Sequence, residues 1–178
     1  MRTARAARPR AASLAAMRLL VLDVDGVMTD GRLEYDAHGE HGKSFHARDG
    51  YGIKAVISSG IDVAVISGRE SPATQRRCQE LGVRHVLLGV GDKGAALSRL
   101  LSTLKLQPAQ CICVGDDEPD VPMLQLAGLA VAVADAHPVA TAVAHRRTRQ
   151  RGGAGAVREV CDWLLAAQSP ARPLRRRR

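Results

Sequence analysis

Short apolar runs alternate along this chain with longer segments of helical periodicity, and this alternation constrains the fold more than any other feature. The runs consist mainly of Val, Leu, Ile and Ala, and they predict strands over 19–22, 61–66, 83–88, 110–114 and 129–133. The segments between and after them predict helices over 49–59, 71–81, 93–104, 120–127 and 156–167. Strands that alternate with helices form parallel sheets with helices on both faces. We therefore expect an α/β fold, a doubly wound parallel sheet of the Rossmann-like type.

Local signals predict where several elements begin and end. Asp49 is the expected N-cap of the first helix, and Gly60 is its expected end. Ser71-Pro72 is a typical helix start. Residues 32–36 and 43–47 are two short extended stretches on either side of a glycine-containing centre, so we expect them to pair as a small β-hairpin, or flap.

Polar clusters follow the first four predicted strands. They are Asp23/Asp25, Ser67-Gly68-Arg69, Gly91-Asp92-Lys93 and Gly115-Asp116-Asp117. The carboxyl ends of parallel strands lie at one edge of the sheet, where ligands bind in such folds. We therefore expect all four clusters to meet in one crevice.

The acids of this crevice predict a magnesium site. Asp23, Asp25 and Asp116 would repel one another without a cation. Carboxylate oxygens with room for waters suit Mg²⁺, and neither His nor Cys is needed.

The other groups of the crevice suit a phosphate. Ser67 offers a hydroxyl group and Lys93 a positive charge. Phosphoryl transfer needs mainly positioning and charge neutralisation, so a carboxylate can act as the nucleophile. Asp23 is the expected nucleophile, and Asp25 is the expected acid that protonates the leaving alcohol and then deprotonates the attacking water.

These motifs resemble those of the haloacid dehalogenase-like (HAD) phosphatases. The resemblance rests on Asp23-Val24-Asp25-Gly26, Ser67, Lys93 and Gly115-Asp116-Asp117. Residues 42–54, 133–138 and 152–160 are similar to segments of the 3-deoxy-D-manno-octulosonate 8-phosphate (KDO 8-phosphate) phosphatases. The similarity covers residues 18–168. It implies hydrolysis of KDO 8-phosphate to KDO and phosphate through an aspartyl-phosphate, in the synthesis of lipopolysaccharide precursors.

The resemblance also implies roles for individual residues. Mg²⁺ would be held by the side chains of Asp23 and Asp116 and by the main-chain carbonyl of Asp25. Substrate contacts are expected from Asp25, His46, Ala47, Arg48, Asp49, Gly50, Lys54, Arg69, Arg77 and Lys93. A substrate with both a carboxylate and a phosphate explains the number of basic residues in this set.

The sequence departs from the family in three places. His46 stands where relatives usually have Asn, and Leu88 where they often have Gln. Residues 145–151 are strongly basic where the family has a short apolar strand that reaches a threonine, which is Thr148 here. This last departure puts the local strand in question.

The spacing of the motifs leaves no room for a cap domain. Only 41 residues separate Asp25 from Ser67, and only 25 separate Ser67 from Lys93. Because the site must exclude bulk water, we expect a neighbouring subunit to cover it, with the 32–47 hairpin at the interface. The family resemblance implies a homotetramer.

The net charge of +8 comes from the two ends of the chain. Residues 1–17 and 169–178 are expected to be disordered basic tails around a domain at 18–168, and Met17 is a possible alternative start. We expect no specific nucleic-acid partner, no membrane span, structural cysteines and a cytoplasmic protein.

Three alternatives remain open. One is a phosphatase for another sugar acid phosphate, such as a sialic acid 9-phosphate. Another is a signalling receiver domain, which also holds an aspartyl-phosphate. The third is an inactive scaffold with tails that bind nucleic acid.

Overall fold

The computed structural model describes residues 12–168, except for the side chains of residues 40 and 41. The predicted tail segments 1–11 and 169–178 lie outside this range. Residues 12–17, which the sequence assigns to the tail, pack on the domain: Leu14–Ala16 form a 3-10 turn and Met17 is fully buried. The main-chain N–H of Ala12 donates to the carbonyl of Gly128 over 2.9 Å. The packed part of the chain therefore begins before residue 18.

Six parallel strands form the central sheet: β1 (Leu19–Leu22), β4 (Asp62–Ile66), β5 (His85–Leu87), β6 (Cys111–Gly115), β7 (Leu129–Ala132) and β8 (Arg146–Arg147). Their spatial order is β5-β4-β1-β6-β7-β8, and the second and third strands of the chain form a separate hairpin. Every residue of β1 is buried, as expected of a central strand covered on both faces. The sheet places β1 between β4 and β6, so the loops after these three strands are neighbours.

Helices cover both faces of the sheet, which confirms the doubly wound fold. They are α1 (Ala47–Ser58), α2 (Pro72–Leu81), α3 (Lys93–Leu104), α4 (Val121–Leu126), α5 (Pro138–Val143) and α6 (Ala156–Gln168). One core layer contains Ile53 of α1, Cys78 of α2 and Leu164 of α6. The other contains Leu97 of α3 and Met123 of α4. Burial of each Leu or Ile side chain contributes about 1.5–3 kcal/mol to the stability of the fold, so a core with few aromatic residues can stabilise this domain.

Helices α2 and α3 begin where the sequence predicts. The Ser71 hydroxyl accepts from the Thr74 N–H over 3.3 Å, and the Asp92 carboxylate accepts from the Ala95 N–H over 2.9 Å. Gly82 ends α2 with a φ of 78°, a conformation that glycine adopts without strain.

Helix α1 begins two residues earlier than predicted, and Asp49 is not its N-cap. His46 occupies that position, and Asp49 lies buried in the first turn. The Asp49 Oδ1 atom accepts from the Arg158 N–H of α6 over 2.7 Å. The carboxylate therefore caps a different helix from the one that carries it.

The predicted hairpin is present, but its second strand lies earlier in the chain. Strand β2 (Glu34–Asp36) pairs antiparallel with β3 (Gly39–Gly42). The turn between them is short and is closed by the His38 N–H, which donates to the Asp36 carboxylate over 2.7 Å. Residues 43–46 then lead directly into α1.

The basic segment 145–151 does form a strand, although a short one. The carbonyl of Ala130 accepts from the His145 N–H over 2.8 Å, and that of Ala132 accepts from the Thr148 N–H over 3.0 Å. Thr148 is buried, whereas Arg146 and Arg147 are exposed at the sheet edge. Solvent reaches the charges, so the strand forms without burying them.

Helix α5, which precedes β8, was not predicted.

Every helix within residues 12–168 is too short or too polar for a transmembrane span.

Candidate active site

The polar clusters after β1, β4 and β6 meet at the start of α3 in one hollow of about 320 Å³, which we call the strand-end hollow. Its lining includes Asp23, Asp25, Ser67, Lys93 and Asp116. The parallel order of the strands explains this meeting, because it places their carboxyl ends side by side. The expected crevice is therefore present.

Lys93 joins two buried acids at the floor of the hollow. Its Nζ lies 2.7 Å from Oδ1 of Asp23 and 2.6 Å from Oδ1 of Asp120. Burial acts to lower the pKa of Lys93, but the charges of Asp23 and Asp120 outweigh it and raise this pKa. Lys93 is therefore a fixed cation beside the predicted nucleophile.

Asp23 and Asp116 are held in a strongly anionic environment. Burial, followed by the charge of Asp120, raises the pKa of Asp23 to about 7, although Lys93 acts against this. Burial and the charge of Asp23 raise the pKa of Asp116 to about 8. Carboxylates this close cannot all ionise cheaply without a cation.

The same acids fit a divalent metal ion. Oxygen atoms of Asp23, Asp116 and Asp120 lie within 4.8 Å of one another. Both oxygens of Asp120 already accept hydrogen bonds, one from Lys93 and the other from the Asp116 N–H over 2.7 Å. Asp23 and Asp116 are thus the natural ligands, and their hard oxygens suit Mg²⁺.

Asp120 is a residue of the site that the sequence analysis did not select. It was interpreted as the start of a helix, and it does end a 3-10 turn, Glu118–Asp120, before α4. Its side chain turns back to bind the loop after β6 and Lys93. The signal in the sequence was its spacing, four residues after Asp116.

Asp25 lies at the mouth of the hollow, between two basic side chains. Its Oδ1 is 2.5 Å from Nζ of Lys43, and its Oδ2 is 3.9 Å from Nε of Arg69. Lys43 follows β3 and lies in the family-like segment 42–54, but its sequence context predicts no role for it. Ser67 is buried beside them, with its Oγ 3.4 Å from the Arg69 N–H.

Two glycines allow close packing around this loop. A Cβ at Gly26, where φ is 86°, would collide with the Asp116 carboxylate. A Cβ at Gly152 would collide with the Gly26 carbonyl oxygen. The Gly153 N–H donates to the Val27 carbonyl over 3.0 Å. Residues 152–153 therefore brace the loop that carries Asp23 and Asp25.

Most of the predicted substrate contacts lie outside the strand-end hollow. Besides Asp25 and Lys93, only Arg69 lines it. Ala47 and Arg77 line a second hollow of about 460 Å³, which also includes Lys43.

The remaining predicted contacts are spread over α1. The Arg77 guanidinium covers Gly50, and Lys54 is exposed. Asp49 is engaged with α6, while Nδ1 of His46 is buried and finds no hydrogen-bond partner among residues 12–168. None of these groups lines the strand-end hollow that contains Asp23.

Arg48 faces a third space, which we call the arginine hollow. It has a volume of about 840 Å³, and Arg146, Arg147, Arg149 and Arg158 also line it. Arg146 stacks on Trp163, with its Cζ 5.6 Å from the ring centre. The basic segment 145–151 therefore contributes a surface beside α6 rather than to the strand-end hollow.

Comparison with known proteins identifies close relatives of this chain. A profile of the haloacid dehalogenase-like hydrolase family matches residues 89–159. The chain is 51% identical over 154 residues to the 3-deoxy-D-manno-octulosonate 8-phosphate phosphatase KdsC of Yersinia pestis, covering 86% of this chain and 82% of that protein. It is 49% identical over 152 residues to KdsC of Escherichia coli K12, covering 85% and 81%.

A solved structure agrees with these sequence matches. It is the KDO 8-phosphate phosphatase of Moraxella catarrhalis in complex with magnesium, phosphate and KDO, with a TM-score of 0.85 and 39% identity over 87% of this chain and 89% of that one.

Proposed function

This chain belongs to the KDO 8-phosphate phosphatases of the haloacid dehalogenase-like superfamily, and on that premise we propose how its own residues hydrolyse KDO 8-phosphate, as a step in lipopolysaccharide precursor synthesis. The observation that carries the proposal is the meeting of Asp23, Lys93 and Asp116 in one hollow with Asp25 at its mouth. A metal-assisted phosphoryl transfer requires these groups.

The magnesium ion that this family requires has suitable ligands here. The side chains of Asp23 and Asp116 would hold it, together with the main-chain carbonyl of Asp25. When bound, Mg²⁺ neutralises charge on the phosphate and on the acids around it. Asp120 stays outside this set because Lys93 and the loop amides occupy its oxygens.

The first step transfers the phosphoryl group to Asp23. A carboxylate oxygen of Asp23 attacks the phosphorus atom, and the bond from phosphorus to the sugar oxygen breaks. Asp25 gives its proton to that oxygen, so KDO leaves as an alcohol. Lys93 balances the charge at the floor of the hollow, and the Ser67 hydroxyl donates to a phosphate oxygen.

The second step regenerates the carboxylate. Asp25 takes a proton from a water molecule, whose oxygen attacks the phosphorus atom. The bond from phosphorus to the Asp23 oxygen breaks, and inorganic phosphate leaves. Each group therefore ends in its starting state.

We further propose that a second copy of the chain completes each site, in a homotetramer. Two observations support this. Ala47 and Arg77, two of the predicted substrate contacts, line a hollow other than the one that contains Asp23. The hairpin is largely exposed, with Tyr35 at 62%, so a neighbour has a surface to cover.

We place the reaction in the cytoplasm. All four cysteines are buried free thiols, which suit a reducing compartment. Burial raises the pKa of Cys78 to about 11, so its thiol is chemically quiet at neutral pH.

The decisive experiment measures phosphate release with Mg²⁺ from KDO 8-phosphate and from a sialic acid 9-phosphate. We expect a higher kcat/KM for KDO 8-phosphate. Asp23→Asn should lower kcat at least about 10³-fold, because it removes the nucleophile. A higher kcat/KM for the sialic acid 9-phosphate would support the alternative specificity instead. Stable phosphorylation of the protein without turnover would favour a receiver domain.

A further inference from the structure

Lys43 is a buried cation that connects the hairpin to Asp25. It follows the last residue of β3, its side chain is 1% exposed, and its Nζ lies 2.5 Å from Oδ1 of Asp25. The carboxylate of Asp25 is itself 21% exposed, at the mouth of the strand-end hollow. An ammonium group is buried at low cost only when it is paired, so this contact fixes both partners.

A second connection runs from the hairpin to the other oxygen of Asp25. The Tyr35 hydroxyl of β2 lies 3.3 Å from Nη1 of Arg69, and Nε of Arg69 lies 3.9 Å from Oδ2 of Asp25. The two oxygens of Asp25 thus each face a cation that the hairpin supplies or contacts. The orientation of this carboxylate depends on where the hairpin sits.

We propose that Lys43 is a positioning residue that orients the Asp25 carboxylate toward the leaving oxygen. Because Lys43 follows the hairpin directly, this orientation depends on the position of the hairpin. The inference rests on the proposed role of Asp25 as the acid and base. A surface aspartate has several rotamers, and proton transfer requires one that brings its oxygen within hydrogen-bond reach of the leaving group. Asp25 accepts from Lys43 through Oδ1. This contact selects one rotamer before the substrate arrives and leaves Oδ2 to hold the proton that Asp25 donates.

Lys43 acts through Asp25 rather than by touching the phosphate. It does not line the strand-end hollow in the described part of the chain, and almost none of its surface is exposed. Arg69 and Lys93 are the cations that line that hollow. A binding role would require Lys43 to leave its buried position.

The test compares two substrates that differ in how much their leaving group needs a proton. The sugar alkoxide of KDO 8-phosphate must be protonated as it leaves, whereas the nitrophenolate of p-nitrophenyl phosphate leaves without help. The quantity compared is kcat/KM, which reports phosphoryl transfer to Asp23 and not the later hydrolysis.

Lys43→Met should lower kcat/KM for KDO 8-phosphate about 10- to 100-fold, as loss of an orienting partner typically does. For p-nitrophenyl phosphate the same variant should stay within about threefold of the wild type, because Asp25 contributes little there. Lys43→Arg should restore part of the first activity. Arg84→Met is the control, since Arg84 also pairs with an aspartate, Asp62, but lines neither the strand-end hollow nor the second hollow.

An equal loss on both substrates would overturn the proposal, because it would mean that the site as a whole has collapsed. A loss in affinity of the inactive Asp23→Asn variant for KDO 8-phosphate, when Lys43→Met is added and of the same size as the loss in kcat/KM, would also overturn it and would assign Lys43 to binding. Should Lys43→Met fail to fold, the same ratio measured in Lys43→Arg and Lys43→Gln decides. Failure of the proposed function is distinguishable, since Asp23→Asn would then remain active on both substrates.

Discussion

Among single residues, Asp120 organises the site most widely without being a proposed reactant. Its 1% exposed side chain accepts from Lys93 and from the main chain of Asp116. Asp120→Asn keeps the shape but has one carboxamide oxygen for these donors. We expect kcat to fall about 10- to 100-fold and the free energy of unfolding to fall by about 1–3 kcal/mol.

Steady-state kinetics and thermal unfolding would check this prediction. Glu118→Gln is the control, because Glu118 is exposed in the same loop and its side chain does not line the strand-end hollow. Unchanged kcat in Asp120→Asn would show that Lys93 and the loop are held without Asp120.

The raised pKa values of Asp23 and Asp116 predict how stability depends on pH. Both rise from 3.8, to about 7 and about 8 respectively. The folded metal-free protein therefore binds more protons than the unfolded chain, so its stability should fall as pH rises from about 4 to about 8. Mg²⁺ binds the ionised acids, so its stabilising effect should grow over the upper part of this range.

Thermal unfolding with and without Mg²⁺ at about pH 5.5 and about pH 8.5 tests this. The increase in Tm should be small at the lower pH and larger at the higher one. Asp116→Asn should weaken the increase at both. Equal increases at both pH values in the wild type would contradict the prediction.

The sequence correctly predicted the position of the site residues that directly follow a strand. Asp23, Ser67 and Asp116 follow buried strands, so topology alone places them together. The sequence did not predict Lys43 and Asp120 as site residues, because their roles depend on which side chains they contact. Those partners are 18 and 27 residues away in the chain, at Asp25 and Lys93 respectively.

The elements follow the same rule. Helices α2 and α3 were predicted well because their caps, Ser71 and Asp92, act on amides within three residues. The start of α1 was wrong because Asp49 bonds to an amide 109 residues away. Helix α5 begins with local signals that the prediction missed: Pro138 is its first residue, and Nδ1 of His137 accepts from the Val139 N–H over 3.4 Å.

The 152–153 turn packs so closely against the loop after β1 that an added side chain should disturb both. Gly152→Ala would place a methyl group on the Gly26 carbonyl oxygen, so one backbone must move. We expect a loss of about 1–3 kcal/mol in stability and a clear drop in kcat, because the moved loop carries Asp23 and Asp25. Gly91→Ala is the control, since nothing lies within 4 Å of a Cβ there. A fully active Gly152→Ala enzyme would contradict the bracing role.

For the whole molecule, the proposed sharing of sites between subunits can be tested by complementation. Asp23→Asn removes the nucleophile, whereas Arg77→Ala removes a predicted contact from the other hollow. If one site uses Asp23 of one copy and Arg77 of another, co-expression of the two variants should give activity above that of either alone. Light scattering should find the mass of four chains. A fully active monomer would refute the arrangement.

The shape of the sheet has a consequence for how the protein behaves when crowded. Its outer strands, β5 and β8, contain three and two residues, so little main chain is available for another molecule to pair with. Strand β8 also presents two exposed arginines, and an identical edge that approached it would meet like charge. Short, charged edges of this kind resist edge-to-edge aggregation. The basic segment that departs from the family pattern thus protects the open side of the sheet.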